Sequence, residues 1–336
     1  MKIDFEHRQS AHCENGVTSN LLKHNGLDLD EPMVFGIGAG LFFIHIPMLK
    51  VNNIPSTAYR PLPGLIFKRI SKALDIDFER IKFKSELTAM NALDQKLEQN
   101  IPVGLQVGVF HLSYLPKKYR FHFNAHNIVV FGKENGLYHV SDPVMETTTT
   151  LTEEDMLKVR FAKGVFAPKG QMYYPTHIPE ITDEKIKSAI KKSIKTATFQ
   201  MTKIPYSYIG TKGLKKMGKV VENYKTTLSP KQASLHLGHL IRMQEEIGTG
   251  GGGFRFIYAA YLQKAAKYWD IDEIHEASEL FSQSGDTLRN FAMQCAGLYK
   301  GRLTSQEEFN RAGDFLRSVS DIEHEAFQKL KKINWK

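Results

Sequence analysis

One cysteine of this chain stands where its surroundings could make it a nucleophile. Cys13 lies in the sequence His12-Cys13-Glu14, just before a helix predicted from about Asn15 to His24. A thiol at a helix N-terminus lies beside backbone N–H groups and the positive end of the helix dipole, and both stabilise the thiolate. If a base is nearby, Cys13 can attack a carbonyl carbon and carry an acyl group as a thioester.

A predicted β-hairpin supplies the base and a group to orient it. Strands are predicted over 127–132 and 137–140, and the Asn-Gly pair between them is a strong hairpin signal. His126 then begins one strand and Asp142 follows the other, so the two residues meet. Either a lone cysteine or a lone histidine is more often structural, but the order Cys13, His126, Asp142 is that of a nucleophile, a base and an orienting carboxylate. We therefore predict a catalytic triad.

Several motifs resemble those of known families. The segment from His126 to Asp142-Pro143 is similar to the hairpin of papain-like bacteriocin-processing cysteine peptidases. Nearly the whole chain resembles the butirosin biosynthesis protein H family, through His12-Cys13-Glu14, Phe35-Gly36-x-Gly38-x-Gly40 and Gly248-Thr249-Gly250-Gly251…Phe254-Arg255…Tyr258…Tyr261-Leu262. The founding member of that family transfers an acyl group from an acyl carrier protein thioester to an amine of an aminoglycoside. The resemblance implies secondary-metabolite biosynthesis and gives the triad roles to Cys13, His126 and Asp142.

The donors of an oxyanion hole are less well defined by the sequence. Papain-like enzymes usually place a glutamine several residues before the cysteine, whereas here Gln9 lies only four residues upstream. Gln9 is one candidate for the second donor, and His12 could line the hole or merely pack.

A glycine-rich loop at residues 248–253, which we call the glycine loop, could bind an anion. A loop of glycines opening a helix presents N–H groups and the positive end of the dipole, which suits a phosphate. We predict that this loop binds the phosphate of a phosphopantetheine arm, through Gly250, Gly251, Gly252 and Arg255. The alternative is a loop with a purely structural role. No metal site and no tightly bound cofactor are expected, the phosphopantetheine arm being part of the donor substrate.

The surrounding elements predict an α+β N-terminal domain, papain-like and bacteriocin-peptidase-like in fold, followed by a mainly helical C-terminal domain. Segment 174–180 is predicted to be a linker, giving a catalytic domain at 1–175 and a helical domain at 176–336. Beyond the linker the apolar spacing is helical almost throughout, with a break expected near Ser284-Gly285 in the helix predicted over 270–300.

Charge and composition limit the partners. The chain has 336 residues and a net charge of +9, and the stretch from Lys185 to Val221 contains ten lysines and no acidic residue. This stretch would attract an acidic acyl carrier protein, although a solvated helix face explains it equally well. It lacks the arginines and motifs expected for nucleic-acid binding. No transmembrane segment, secretory signal or disulfide framework is visible, and a cytoplasmic location is expected.

The function predicted from the sequence is an acyltransferase. It would move an acyl group from an acyl carrier protein thioester, through acyl-Cys13, to an amine or hydroxyl of a small-molecule or lipid acceptor. A cysteine peptidase or amidase would use the same triad, and a non-catalytic binding protein is a further alternative. The acyl group, the acceptor and the presence of a homo-oligomer are left open by the sequence.

Overall fold

A computed structural model describes residues 1–51 and 53–335. The chain forms two compact units, which we call the N-terminal unit (Met1–Val34 and Phe67–Ile181) and the helical unit (Phe35–Ile66 and Thr182–Lys336). The domains predicted from the sequence, 1–175 and 176–336, instead place 35–66 in the N-terminal domain. In the described residues no helix is both long and apolar enough to cross a membrane.

The described residues form eight strands: β1 (Ile44–Val51), β2 (Ile54–Ala58), β3 (Asp77–Ile81), β4 (Val103–Val107), β5 (His126–Glu134), β6 (Leu137–Ser141), β7 (Thr149–Thr152) and β8 (Met172–His177). The last six form one antiparallel sheet in the N-terminal unit, in the order β3-β8-β4-β5-β6-β7. Asn135 and Gly136 both have positive φ, at 50° and 74°, as a tight hairpin turn requires, which confirms the predicted hairpin.

The predicted linker at 174–180 is wrong in its first half, because β8 continues to His177. Pro175 is tolerated within β8 because β4 pairs only with Met172 and Tyr173 of that strand. From Tyr174 onward β8 is paired with β3 alone, so Pro175 does not need to donate a hydrogen bond on the other side. The first four residues of the segment expected to separate two domains are therefore part of the six-stranded sheet.

Helices cover the sheet and build the helical unit. The helices in chain order are α1 (Cys13–His24), α2 (Glu31–Ile37), α3 (Leu65–Leu74), α4 (Glu86–Glu98), α5 (Glu153–Arg160), α6 (Asp183–Thr202), α7 (Gly210–Glu222), α8 (Tyr224–Thr227), α9 (Pro230–Ile241), α10 (Arg255–Trp269), α11 (Asp272–Tyr299) and α12 (Gln306–Lys332). The α+β class with a mainly helical C-terminal region is thus confirmed.

The break predicted near Ser284-Gly285 is wrong, because α11 is continuous through both residues. Gly285 has a packing role instead: a Cβ atom at this position would lie 2.7 Å from the ring of Phe256. The glycine therefore lets an aromatic side chain of α10 lie directly on α11.

A buried ion pair joins α10 to α12 in the helical unit. The guanidinium of Arg255 donates to both carboxylate oxygens of Glu323, at 2.7 Å and 3.1 Å, and both side chains are fully buried. Ser284 donates to the same carboxylate at 2.7 Å, and Arg255 also donates to the carbonyl oxygen of Gly253 at 2.8 Å. These bonds satisfy two charges that would otherwise be costly to bury.

We predict that Glu323→Ala strongly destabilises the helical unit. The substitution leaves the Arg255 guanidinium buried without its carboxylate, which typically costs about 3–5 kcal/mol of unfolding free energy. Denaturant unfolding followed by circular dichroism measures the loss. Glu276→Ala is the control, because Glu276 forms a comparable 2.7 Å pair with Lys329 on the surface and its loss should change stability little. Equal effects of the two substitutions would contradict the role given to the buried pair.

Candidate active site

Cys13 is the first residue of α1, two residues earlier than the predicted start of the helix. His12 caps the helix, with extended backbone angles (φ −119°, ψ 125°) and its Nδ1 atom accepting from the Asn15 N–H at 3.4 Å. The preceding turn is held by Glu31, whose carboxylate accepts the backbone N–H groups of Ala11 and His12 at 2.8 Å and 2.7 Å. The thiol therefore lies at the positive end of a firmly anchored helix.

The hairpin brings His126 and Asp142 together. The Nε2 atom of His126 lies 2.8 Å from Oδ2 of Asp142, and the imidazole also hydrogen-bonds to Cys13. Because Nε2 is engaged by the carboxylate, the ring nitrogen left for the cysteine is Nδ1. Asp142 is held in turn by the Tyr114 hydroxyl at 2.7 Å and by the Val144 N–H at 3.2 Å. The structure thus brings all three predicted triad residues into one hydrogen-bonded chain.

Burial and neighbouring charges shift the pKa values of His126 and Asp142 in opposite directions. Burial by itself lowers the pKa of His126, but the charges of Asp142 and Cys13 outweigh it and raise that pKa well above its usual value. Burial raises the pKa of Asp142, but the neighbouring imidazolium and the hydrogen bonds to the carboxylate lower it overall. At neutral pH the geometry therefore favours a protonated His126 between two negative groups, and this proton is lost only as the pH rises through the raised pKa.

A glycine sets the distance between α1 and the Asp142 segment. Gly16 faces Pro143, and a Cβ atom there would lie 2.4 Å from the Pro143 Cβ and 2.7 Å from the Ser10 Cβ. The backbone N–H of Ser10 donates to the Pro143 carbonyl at 2.6 Å, which joins the cysteine loop to the end of the hairpin. Only a residue without a side chain permits this close approach, so the helix carries glycine one turn after its N-terminus.

The two residues predicted as oxyanion donors lie in different surroundings. Gln9 is exposed to solvent, and His12 serves as the helix cap described above. A residue that the sequence did not single out lies beside the sulfur: Nδ2 of Asn127 is 3.9 Å from Sγ of Cys13. The available signal was a polar residue directly after His126, at the start of an otherwise apolar strand.

Three of the four residues predicted to bind phosphate donate to other groups of the chain. Arg255 is fully buried against Glu323, as described above. The N–H of Gly252 lies 3.2 Å from both carboxylate oxygens of Glu245, and the N–H of Gly251 donates to Thr249 at 3.1 Å. Arg255 and Gly252 are thus engaged by carboxylates of the chain itself and Gly251 by a hydroxyl, although Gly250, Gly251 and Gly252 do have the positive φ angles of a tight loop.

We predict that His126→Ala slows alkylation of Cys13 by iodoacetamide at about pH 6.5, by about ten-fold or more. The substitution removes the positive charge beside the sulfur, so the reaction should need a more alkaline pH. Intact mass spectrometry over a pH series measures the rate, with Cys13→Ala reporting any reaction of the buried Cys295.

His139→Ala is the matched control for this prediction. His139 lies on β6 and pairs with Glu134 at 3.1 Å, so its removal should leave the rate unchanged. An identical pH profile for wild type and His126→Ala would contradict the proposed charge pair.

Comparison with known proteins agrees with the resemblance in the motifs. Residues 12–143 match the family described as Butirosin biosynthesis protein H, N-terminal. Residues 154–330, more than half of the chain, match the family described as Domain of unknown function (DUF4872). No curated protein matches this sequence.

Among solved structures, a protein described as a C39-like peptidase from Bacillus anthracis is similar over 54% of this chain and 100% of that chain. The sequence identity is 13% and the TM-score is 0.36. The assignment therefore depends on the family matches and on the geometry around Cys13, which together indicate a cysteine-based enzyme. Residues 12–143 are similar to the N-terminal family of butirosin biosynthesis protein H, and the chain as a whole belongs to the DUF4872 family, whose model matches residues 154–330.

Proposed function

We propose that this protein is an acyltransferase that takes an acyl group from an acyl carrier protein thioester and passes it, through acyl-Cys13, to an amine or hydroxyl acceptor. The observation that carries the proposal is the hydrogen-bonded chain from Cys13 through His126 to Asp142, with the cysteine at the start of a helix. The match to the N-terminal domain of butirosin biosynthesis protein H supports acyl transfer as the reaction class.

The first half-reaction acylates the enzyme. The Cys13 thiolate attacks the carbonyl carbon of the donor thioester, forming an S–C bond and a tetrahedral oxyanion. When the oxyanion collapses, the bond to the phosphopantetheine sulfur breaks, and the His126 imidazolium donates its proton to that leaving thiolate. Asp142 keeps the imidazole in the orientation that serves this transfer.

The second half-reaction releases the product. The acceptor amine or hydroxyl attacks the acyl carbon on Cys13, and neutral His126 takes the proton that the acceptor loses. Collapse of the second tetrahedral intermediate breaks the S–C bond and returns the thiolate beside the imidazolium. If water takes the place of the acceptor, the same residues perform hydrolysis, which is the reaction of a peptidase or amidase.

The helical unit carries a surface that suits an acidic carrier. Ten lysines lie between Lys185 and Val221, mainly on α6 and α7, and none of them is buried. No acidic residue interrupts this stretch. Such a surface raises the encounter rate with an acidic protein, and salt should weaken the effect.

We predict that wild-type protein incubated with a butyryl-loaded acyl carrier protein gains one butyryl group on Cys13. Intact mass spectrometry followed by peptide mapping detects the adduct. Cys13→Ala should gain none, and His126→Ala should acylate at least about 100-fold more slowly. A primary amine should discharge the adduct faster than water does.

Two other results of this experiment would contradict the proposal. The first is the absence of a butyryl adduct with the carrier and with a small butyryl thioester. The second is a discharge by water alone whatever amine is offered, which would favour the peptidase or amidase reaction.

We also predict that the double variant Lys192→Ala/Lys195→Ala slows acylation from the carrier by about three- to ten-fold at low salt. Acylation from the small thioester should not change, because that donor does not dock on the protein. Lys82→Ala/Lys84→Ala, which removes two exposed lysines of the N-terminal unit, is the control. Equal slowing with both donors would exclude a docking role for the lysines on α6.

A further inference from the structure

Asn127 is a buried amide directed at the reactive sulfur. Its Nδ2 atom lies 3.9 Å from Sγ of Cys13, and the residue is 7% exposed. It follows His126 on β5, so the rigid strand that holds the base also holds this amide. An amide donor buried beside a nucleophile can interact with any charge that develops there.

The orientation of the Asn127 amide is fixed by its other two partners. The Tyr173 hydroxyl lies 2.9 Å from Oδ1, and the carbonyl oxygen of Ala125 lies 3.2 Å from Nδ2. Turning the amide over would bring Oδ1 against the Ala125 carbonyl, two acceptors with no proton between them. The observed orientation therefore directs an N–H group of Asn127, not its carbonyl oxygen, towards Cys13.

Tyr173 is well suited to hold this orientation. Burial first, and then the charge of Glu14, raise the pKa of Tyr173 well above its usual value, so the hydroxyl keeps its proton and donates. Its ring lies over Gly104, where a Cβ atom would be 2.6 Å away, and meets the Phe67 ring edge-on at 4.9 Å between centroids. The tyrosine can move little, and so can the amide that it holds.

We propose that Asn127 Nδ2 is the side-chain donor of the oxyanion hole, the role for which the sequence offered Gln9 and His12 as candidates. This inference deepens the proposed function and rests on it. When Sγ bonds to the acyl carbon, the former carbonyl oxygen is two bonds from the sulfur, within reach of a donor on this side of Sγ. The Asn127 N–H donates to that oxygen while it carries the negative charge.

Asn127 stabilises the oxyanion as a hydrogen-bond donor and transfers no proton. As the S–C bond forms, the carbonyl π electrons move to the oxygen, and the Asn127 N–H stabilises the resulting charge without giving up its proton. On collapse the electrons return to the C–O bond, and the leaving group departs with the pair of the broken bond. Asn127 is needed only for reactions at a carbonyl carbon.

Two reagents for the same sulfur test the proposal. Acylation of Cys13 by butyryl-N-acetylcysteamine passes through a tetrahedral oxyanion, whereas alkylation by iodoacetamide displaces iodide at a saturated carbon and forms none. For Asn127→Ala we expect acylation to slow by about 10²–10³-fold and alkylation to stay within about two-fold of wild type. Both rates are measured by intact mass spectrometry on protein whose fold is verified by circular dichroism.

Tyr173→Phe provides a second variant that keeps the ring packing and removes only the hydroxyl. It frees the Asn127 amide to turn, so we expect about a ten-fold loss in acylation and none in alkylation. Tyr138→Phe is the matched control, because its hydroxyl bonds to Asp94 at 2.7 Å near the hairpin turn, at the opposite end of β5 from His126. This variant should acylate at the wild-type rate.

Three results would overturn the inference. Acylation and alkylation could fall together in both variants, in which case Asn127 acts on the thiol and not on the oxyanion. Acylation could remain at the wild-type rate in both variants, in which case another group holds the oxyanion. A wild-type protein that is alkylated at Cys13 but never acylated by any thioester would overturn the proposed function and this inference together.

Discussion

The close approach between the start of α1 and the end of the β5–β6 hairpin is the constraint on which the candidate site depends. Cys13 lies on α1, whereas His126 and Asp142 lie at the open end of the β5–β6 hairpin. These residues must nevertheless meet within hydrogen-bonding distance. The Ser10–Pro143 backbone hydrogen bond joins these elements, and the missing side chain of Gly16 leaves room for them to touch. Since protein interiors are close-packed, a small shift of α1 relative to the hairpin would change the distances between the reacting atoms.

Electrostatics then determines what the assembled groups can do. A buried histidine alone would be neutral, and a buried aspartate alone would be protonated. In this site the Asp142 carboxylate raises the pKa of His126 and the His126 imidazolium lowers the pKa of Asp142, each against the effect of burial. The cysteine at the helix N-terminus adds a second negative partner for the imidazolium. The same burial that makes the charges costly also keeps solvent from weakening their attraction.

The sequence could predict that Cys13, His126 and Asp142 meet, because each residue has a local signal: a helix start, a strand start, and a hairpin turn that brings the two strand ends together. It could not predict that the Asn127 amide faces the sulfur, because the direction of that amide depends on Tyr173. This residue lies on β8, a strand whose last residues were predicted to be a linker. The partners of the glycine loop could not be predicted for a similar reason. Arg255 is matched by Glu323, which is 68 residues away in the chain and becomes its neighbour only in the folded helical unit.

The most direct test of this account is an NMR titration of the His126 imidazole in wild type, Cys13→Ala and Asp142→Asn. The account predicts that His126 in wild type stays protonated well above its usual pKa of about 6.5, and that each substitution lowers its pKa by removing one negative partner. A wild-type His126 that titrates near the usual value, unchanged in both variants, would contradict it.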